Sequence, residues 1–182
     1  PQDFAGARRL FGLAVAQGNA EAQYSLGMMH FMGKGGPQNF AVARRLHELA
    51  AAQGEAEAQC TLGIMHLRGK GVPQDFAAAR RLLGLAVAQG NAEAQYSLGN
   101  MYFMGQGGPQ ELAEARRLYV LAAAQGHAEA QGDLGNMCSL GHGGPQDLVE
   151  ARRLLGLAVA QGDATAQCSL GALHRNGQGG PQ

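Results

Sequence analysis

The chain has 182 residues, with 14 basic and 14 acidic side chains and a formal net charge of zero, which argues against an overall polyanion binder. Tryptophan is absent and aromatic residues make up only 5%, too few for a sheet of base-stacking side chains. No apolar run is long enough to span a membrane as a helix.

Length alone suggests one or two globular domains, but an internal period overrides it. The stretch AQGNAEAQYSLG at 16–27 returns in related form at 52–63, 88–99, 124–135 and 160–171, 36 residues apart each time. A fixed period of this size marks a stacked-repeat architecture whose units contact mainly their neighbours. The units are 1–36, 37–72, 73–108, 109–144 and 145–180, and residues 181–182 begin a sixth. All six prolines open a unit, and 20 of the 29 glycines fall at unit positions 18, 27, 33 and 35. The glycine is therefore periodic punctuation rather than a sign of disorder. With no polar capping repeat at either end, the expectation is a single array cut from a longer chain.

Within a unit, Asp3 is a natural N-cap for a first helix, A. Asn39, Asp75, Glu111 and Asp147 take its place later, Glu111 being the poorest cap. Helix A is expected to run to about Gln17, where Gly18 supplies a left-handed C′ residue. Residue 19 (Asn19, Glu55, Asn91, His127, Asp163) starts helix B, which runs to about unit position 32 before a glycine-rich break. Two such helices form an αα-hairpin. At about 100° per residue, Phe4, Ala7, Leu10, Phe11 and Ala14 share the core face of helix A. Leu13 lies at the edge of the side that carries Arg8 and Arg9. On helix B, Ala22, Leu26, Met29 and position 30 form an apolar stripe of helical period. Gly27 recurs five times inside helix B, although glycine there costs about 1 kcal/mol relative to alanine. Close approach of a neighbouring helix is the expected reason.

These residues carry a resemblance to a known family. Ala14-Val15-Ala16-Gln17-Gly18, Ala22-Gln23-Tyr24-Ser25-Leu26-Gly27 and Gly69-Lys70-Gly71-Val72-Pro73-Gln74-Asp75 resemble the Sel-one-like repeat (SLR), a relative of the tetratricopeptide repeat. The resemblance covers all five units. It implies an all-α, right-handed α-solenoid of five 36-residue antiparallel helix-turn-helix repeats. The sequence departs from the family pattern at three points. Leu10, Leu46, Leu82, Leu118 and Leu154 replace a tryptophan, and Leu13, Leu49, Leu85, Leu121 and Leu157 replace a lysine. The loop valine survives only as Val72, so the other turns are expected to be looser.

The most regular polar feature is an arginine pair in every unit: Arg8-Arg9, Arg44-Arg45, Arg80-Arg81, Arg116-Arg117 and Arg152-Arg153. They supply ten of the fourteen basic residues. By analogy with tetratricopeptide arrays, helix A lines a concave face. The second arginines (Arg9, Arg45, Arg81, Arg117, Arg153) then face a groove beside Leu13, Leu49, Leu85, Leu121 and Leu157. A basic stripe beside an apolar one suits an acidic, amphipathic segment of a partner protein. Against this stands pairing of the arginines with Glu21, Glu57, Glu93 and Glu129. The helix B ends Phe31-Met32 and Phe103-Met104 form a second candidate surface. Units two, four and five differ there, which is where an array could encode selectivity; packing on the glycine-rich loop is the alternative.

No catalytic or metal motif survives scrutiny. Position 30 reads His30, His66, Tyr102, Cys138 and His174, but successive rungs lie on the order of 10 Å apart, too far to share a zinc ion. His47-Glu48 begins like a zincin helix, yet Ala51 stands where the second histidine is required. Ser25, Ser97 and Ser169 lack a nucleophile elbow. Gly33-Lys34-Gly35-Gly36 follows no strand and lacks the Ser/Thr of a phosphate loop. Like-positioned Cys60 and Cys168 should lie roughly 50 Å or more apart if helices simply stack, or ~30 Å if only like helices do, beyond disulfide reach either way. A Cys138–Cys168 pair is conceivable but nothing in the sequence supports it, so a reducing compartment is weakly favoured. The expected function is a non-enzymatic protein–protein interaction scaffold or adaptor with no cofactor. Two alternatives remain. One is an arginine ladder binding RNA or anionic lipid. The other is a penicillin-binding or β-lactamase-like enzyme, as the resemblance to cysteine-rich relatives would imply; those carry a cysteine pair in each repeat and this chain does not.

Overall fold

The computed structural model describes residues 3–178, so the expected start of a sixth unit at 181–182 lies outside the described residues. Among the described residues there are ten helices and no strand. The chain forms two compact units, Pro1–Asn91 and Ala92–Gln182. The first holds α1 (Phe4–Ala16), α2 (Ala20–Met32), α3 (Phe40–Ala52), α4 (Ala56–Arg68) and α5 (Phe76–Ala88). The second holds α6 (Ala92–Met104), α7 (Leu112–Ala124), α8 (Ala128–Leu140), α9 (Leu148–Ala160) and α10 (Ala164–Arg175).

Helix boundaries follow the capping chemistry. Asp3, Asn39, Asp75 and Asp147 each accept a hydrogen bond from the backbone N–H of the third helical residue, at 2.8–3.0 Å. Glu111, the poor cap, makes no such bond. Gly18 ends the first turn of chain after α1 with φ 80°, a conformation that costs glycine no Cβ clash. The glutamine after each internal proline then reaches back across the glycine-rich loop. Gln38, Gln74, Gln110 and Gln146 donate to the carbonyls of Phe31, Leu67, Phe103 and Ser139 at 2.7–2.8 Å. Each satisfies one of the orphan carbonyls at the end of a B helix.

The joint between successive repeats is built on the helix-interior glycine. A Cβ added to Gly27 would lie 2.6 Å from the His47 ring, one on Gly63 2.8 Å from Leu83, and one on Gly135 2.8 Å from Leu155. The partner is always unit position 11 of the next A helix. Buried alanines Ala43, Ala79, Ala115 and Ala151, all fully inaccessible, let the helices close further. Position 10 is buried at Leu46, Leu82, Leu118 and Leu154, as the helical wheel predicts. Leu10, also expected in the core, is instead 59% exposed, where α1 packs mainly on α2. Val72 is buried with Leu62, Met65 and Leu82, so the one surviving loop valine fills the core of its own turn.

Helix A glycines behave differently. Gly84 and Gly156 would meet nothing within 4 Å of an added Cβ, and the equivalent positions hold Glu48 and Val120. Gly84→Ala should therefore raise stability by about 0.5–1 kcal/mol through helix propensity alone. A urea midpoint that stays put or falls would show that the site is more crowded than this geometry allows.

Glutamine side chains add a hydrogen-bonded seam that the sequence pattern does not announce. Gln53, Gln89, Gln125 and Gln161, at the ends of A helices, donate to the amide oxygens of Gln23, Gln59, Gln95 and Gln131 of the preceding repeat at 2.8–2.9 Å. Gln59 and Gln131 also donate to the carbonyls of Ala51 and Ala123. The acceptor glutamines are 4–5% exposed, so an unpaired amide there would cost about 1–3 kcal/mol.

Candidate partner-binding surfaces

The arginine pairs divide into two jobs. In three units the first arginine of the pair clamps the loop that follows helix B, whereas Arg44 pairs with Glu48 on its own helix at 3.6 Å. Arg8 donates to the His30 ring and reaches the Pro37 carbonyl at 3.5 Å. Arg116 donates to the Cys138 sulfur at 3.4 Å and to the carbonyls of His142 and Pro145. Arg152 donates to His174 Nδ1 at 2.7 Å and to the Gln178 carbonyl. His30, Cys138 and His174, all at position 30, thus accept from a guanidinium, whereas His66 Nδ1 is buried without a partner. An imidazole that accepts from arginine is neutral, and burial together with Arg8 pulls the His30 pKa down.

The second arginines Arg9, Arg45, Arg81, Arg117 and Arg153 are all exposed. Beside them Leu13, Leu49, Leu85, Leu121 and Leu157 are 38–56% exposed. The two compact units treat this stripe differently. In the second, Arg117 holds Glu114 and Arg153 holds Glu150 in two-point pairs of 2.6–2.9 Å. These bonds draw the Glu114 and Glu150 pKa values down. In the first unit the corresponding residues are Gly6, Val42 and Ala78, and no ion pair among the described residues involves Arg9, Arg45 or Arg81. Of the carboxylates expected to pair with the arginines, Glu57, Glu93 and Glu129 turn elsewhere. Glu57 accepts from Asn91, and Glu93 and Glu129 lie 3.2 and 3.4 Å from His127.

In the second unit a groove of about 360 Å³ opens between α7 and α9, with Val120, Ala123, Ala124 and Leu157 on its walls and the Arg153–Glu150 pair at its edge. The helix B ends are also accessible. Met32 and Met104 are 47% and 64% exposed, whereas Phe31 and Phe103 are half-buried. Phe31 meets Phe40 edge-on at 5.3 Å.

One polar cluster was not foreseen. Unit position 24 is Tyr24, Cys60, Tyr96 and Cys168 elsewhere but Gly132 in α8, and this leaves a cavity of about 340 Å³ lined by Tyr96, Asp133, Asn136 and Asp163. The Tyr96 hydroxyl donates to Asp133 Oδ2 at 3.1 Å, and its ring lies 4.6 Å from that of His127. Burial raises the Asp133 pKa, with Asp163 and Glu129 adding to it. Burial likewise pushes Tyr96 up to about 12. The substitution of glycine for an aromatic was the available sequence signal. Among the described residues no group of histidine, cysteine and carboxylate side chains is placed to hold a metal ion. Nor is any helix there long and apolar enough to cross a membrane. Cys60 and Cys138 are buried and Cys168 is exposed.

Comparison with known proteins places this geometry. The Sel1 repeat model matches residues 20–55, 56–91, 92–127, 128–163 and 164–182. No curated protein gives a significant match. Among solved structures, a protective antigen of uropathogenic Escherichia coli displaying an SLR fold is 32% identical, with a TM-score of 0.90 over 94% of this chain. The chain spans only 37% of that antigen's length. A Sel1 repeat protein from Oxalobacter formigenes is 27% identical, with a TM-score of 0.88 over 98% of this chain and 71% of the other. An all-α repeat solenoid, family-model matches along the whole repeat region and two close structural neighbours agree: the chain belongs to the Sel1 repeat family.

Proposed function

We propose that the chain is a non-enzymatic scaffold that holds an acidic, amphipathic segment of a partner protein on the helix A face of its first unit. Sel1 repeat proteins are generally protein-interaction scaffolds, and the surface chemistry suits that role here. The carrying observation is the asymmetry of the arginine stripe. Arg9, Arg45 and Arg81 stand exposed without an ion pair among the described residues, next to exposed Leu13, Leu49 and Leu85. Arg117 and Arg153 are already engaged by their own glutamates. An acidic partner gains most where it does not have to displace an internal carboxylate.

The test compares two charge reversals for binding of a fluorescein-labelled amphipathic helix of leucine and glutamate. Arg9→Glu/Arg45→Glu/Arg81→Glu should weaken binding about 10-fold or more, from three lost partly exposed ion pairs of up to about 1 kcal/mol each. Arg117→Glu/Arg153→Glu should change it less than about 3-fold. Equal losses from the two variants would defeat the assignment. A steep salt dependence that ignores Leu49→Ser/Leu85→Ser would instead indicate polyanion binding by counterion release.

A further inference from the structure

We propose that the groove between α2 and α4 is a second docking site, separate from the helix A stripe, for a peptide segment presenting one bulky apolar side chain beside a carboxylate. The floor of this groove is Met28, Phe31, Ile64 and Met65, and Arg68 and Lys70 stand at one end. Its volume is about 210 Å³, below the roughly 300–1,000 Å³ of small-molecule sites and matched to a single large side chain. The Lys70 ammonium is held over two aromatic faces, 4.6 Å from the centre of Phe31 and 5.4 Å from that of Phe40. This seats a positive charge at the rim without neutralising it. Among the described residues, no ion pair involves Arg68 or Lys70, and both are exposed. An apolar slot with two uncompensated cations at its end is complementary to an apolar side chain followed by an acid.

The equivalent groove of the second unit, between α6 and α8, makes the charge argument specific. It keeps Phe103 and Met137, with Asn100 and Asn136 in place of Met28 and Ile64, and has a similar volume of about 250 Å³. There, however, Leu140 replaces Arg68, His142 replaces Lys70 and Asp133 replaces Thr61. The same repeat position therefore offers an apolar, acid-accepting slot in one unit and a more polar slot with its own carboxylate in the other. Such variation at a fixed place in a repeat lets one scaffold discriminate between partner segments.

The test uses the whole chain with ¹³C-labelled methionine methyl groups and a capped nine-residue peptide with a central phenylalanine flanked by glutamates. A peptide with glutamines in their place is the comparator. Saturable shifts are expected at the Met28 and Met65 methyls, with the glutamine peptide about 5-fold weaker. Arg68→Gln/Lys70→Gln should bind both peptides equally at the weaker affinity. The Arg9→Glu/Arg45→Glu/Arg81→Glu variant should retain this binding, which separates the slot from the helix A stripe. Equal affinity of the unaltered chain for the two peptides overturns the proposal. So do shifts confined to Met104 and Met137, loss of binding in the Arg9/Arg45/Arg81 variant, or phosphatidylserine vesicles moving Met28 and Met65 when the peptide does not.

Discussion

Gly99→Leu should destabilise the second unit by about 3 kcal/mol, at the upper end of what overpacking usually costs. Gly99 lies in the middle of α6, and a Cβ there would approach Tyr119 to 2.7 Å and the Leu118 side chain to 3.4 Å. Tyr119 is 1% exposed. Its hydroxyl is also tied to Asn100 Oδ1 at 2.6 Å, and its ring packs 5.7 Å from that of Tyr96. Three further carbons beyond Cβ must therefore push α7 away from α6. In a chain of this size, 3 kcal/mol corresponds to a melting temperature lower by roughly 6–12 °C. Gly99→Ala should cost much less, because part of its clash is offset by the higher helix propensity of alanine. An unchanged melting temperature for the leucine variant would remove the close-approach explanation for all the glycines of this position.

The second large effect is acid destabilisation through His47. This residue is completely buried, both ring nitrogens lack a hydrogen-bond partner, and the Tyr24 ring lies 5.6 Å away. Burial in these surroundings lowers its pKa to about 4. Unfolded, the imidazole titrates near the ordinary value of about 6.5. Between those values the unfolded chain binds a proton that the folded chain refuses. The contribution of His47 is complete above about pH 6.5 and is lost as pH falls toward 4. Going from pH 7 to pH 4.5 should cost on the order of 2 kcal/mol from this residue. Leu83 and Leu155 occupy the same position against Gly63 and Gly135, so His47→Leu fits the joint. It should raise stability at pH 7 by about 1–3 kcal/mol, by removing two unpaired buried nitrogens. His127 and Asp133 have raised pKa values and titrate with the opposite sign. The difference between the two proteins therefore isolates His47, and denaturant midpoints at pH 7 and 4.5 measure it. Parallel pH profiles for the two proteins would show that His47 is solvated or paired in solution.

The repeat frame was readable because its signals are local and recur. Prolines and glycines mark the breaks, Asp3 and its equivalents mark helix starts, and a costly glycine at position 27 betrays a tight contact before any coordinate is known. Contacts spanning some thirty residues were not readable. Gln53 to Gln23 and Arg116 to Pro145 join positions whose residue types would be equally at home on a solvated surface. The two-point pairs Arg117–Glu114 and Arg153–Glu150 were legible at helical i, i+3 spacing. The position 21 glutamates drew the expectation instead, although residue 19 of the following repeat, Asn91 or His127, reaches Glu57 and Glu93. Helical period puts the position 13 leucines on one side of helix A. Whether they meet solvent or a neighbour depends on the helix packed beside them, which a single unit does not encode.

The glutamine seam gives the stack a polarity and a unit of exchange. Each A helix donates an amide to the repeat before it and never the reverse, so the order of repeats is fixed while their identity is not. The knob at position 11 varies among His47, Leu83, Tyr119 and Leu155, yet each faces the same glycine, and the same pair of glutamines bonds across each joint. A recombination that removes or adds one whole 36-residue period rejoins chemically matched surfaces. A cut of any other length strands a buried amide.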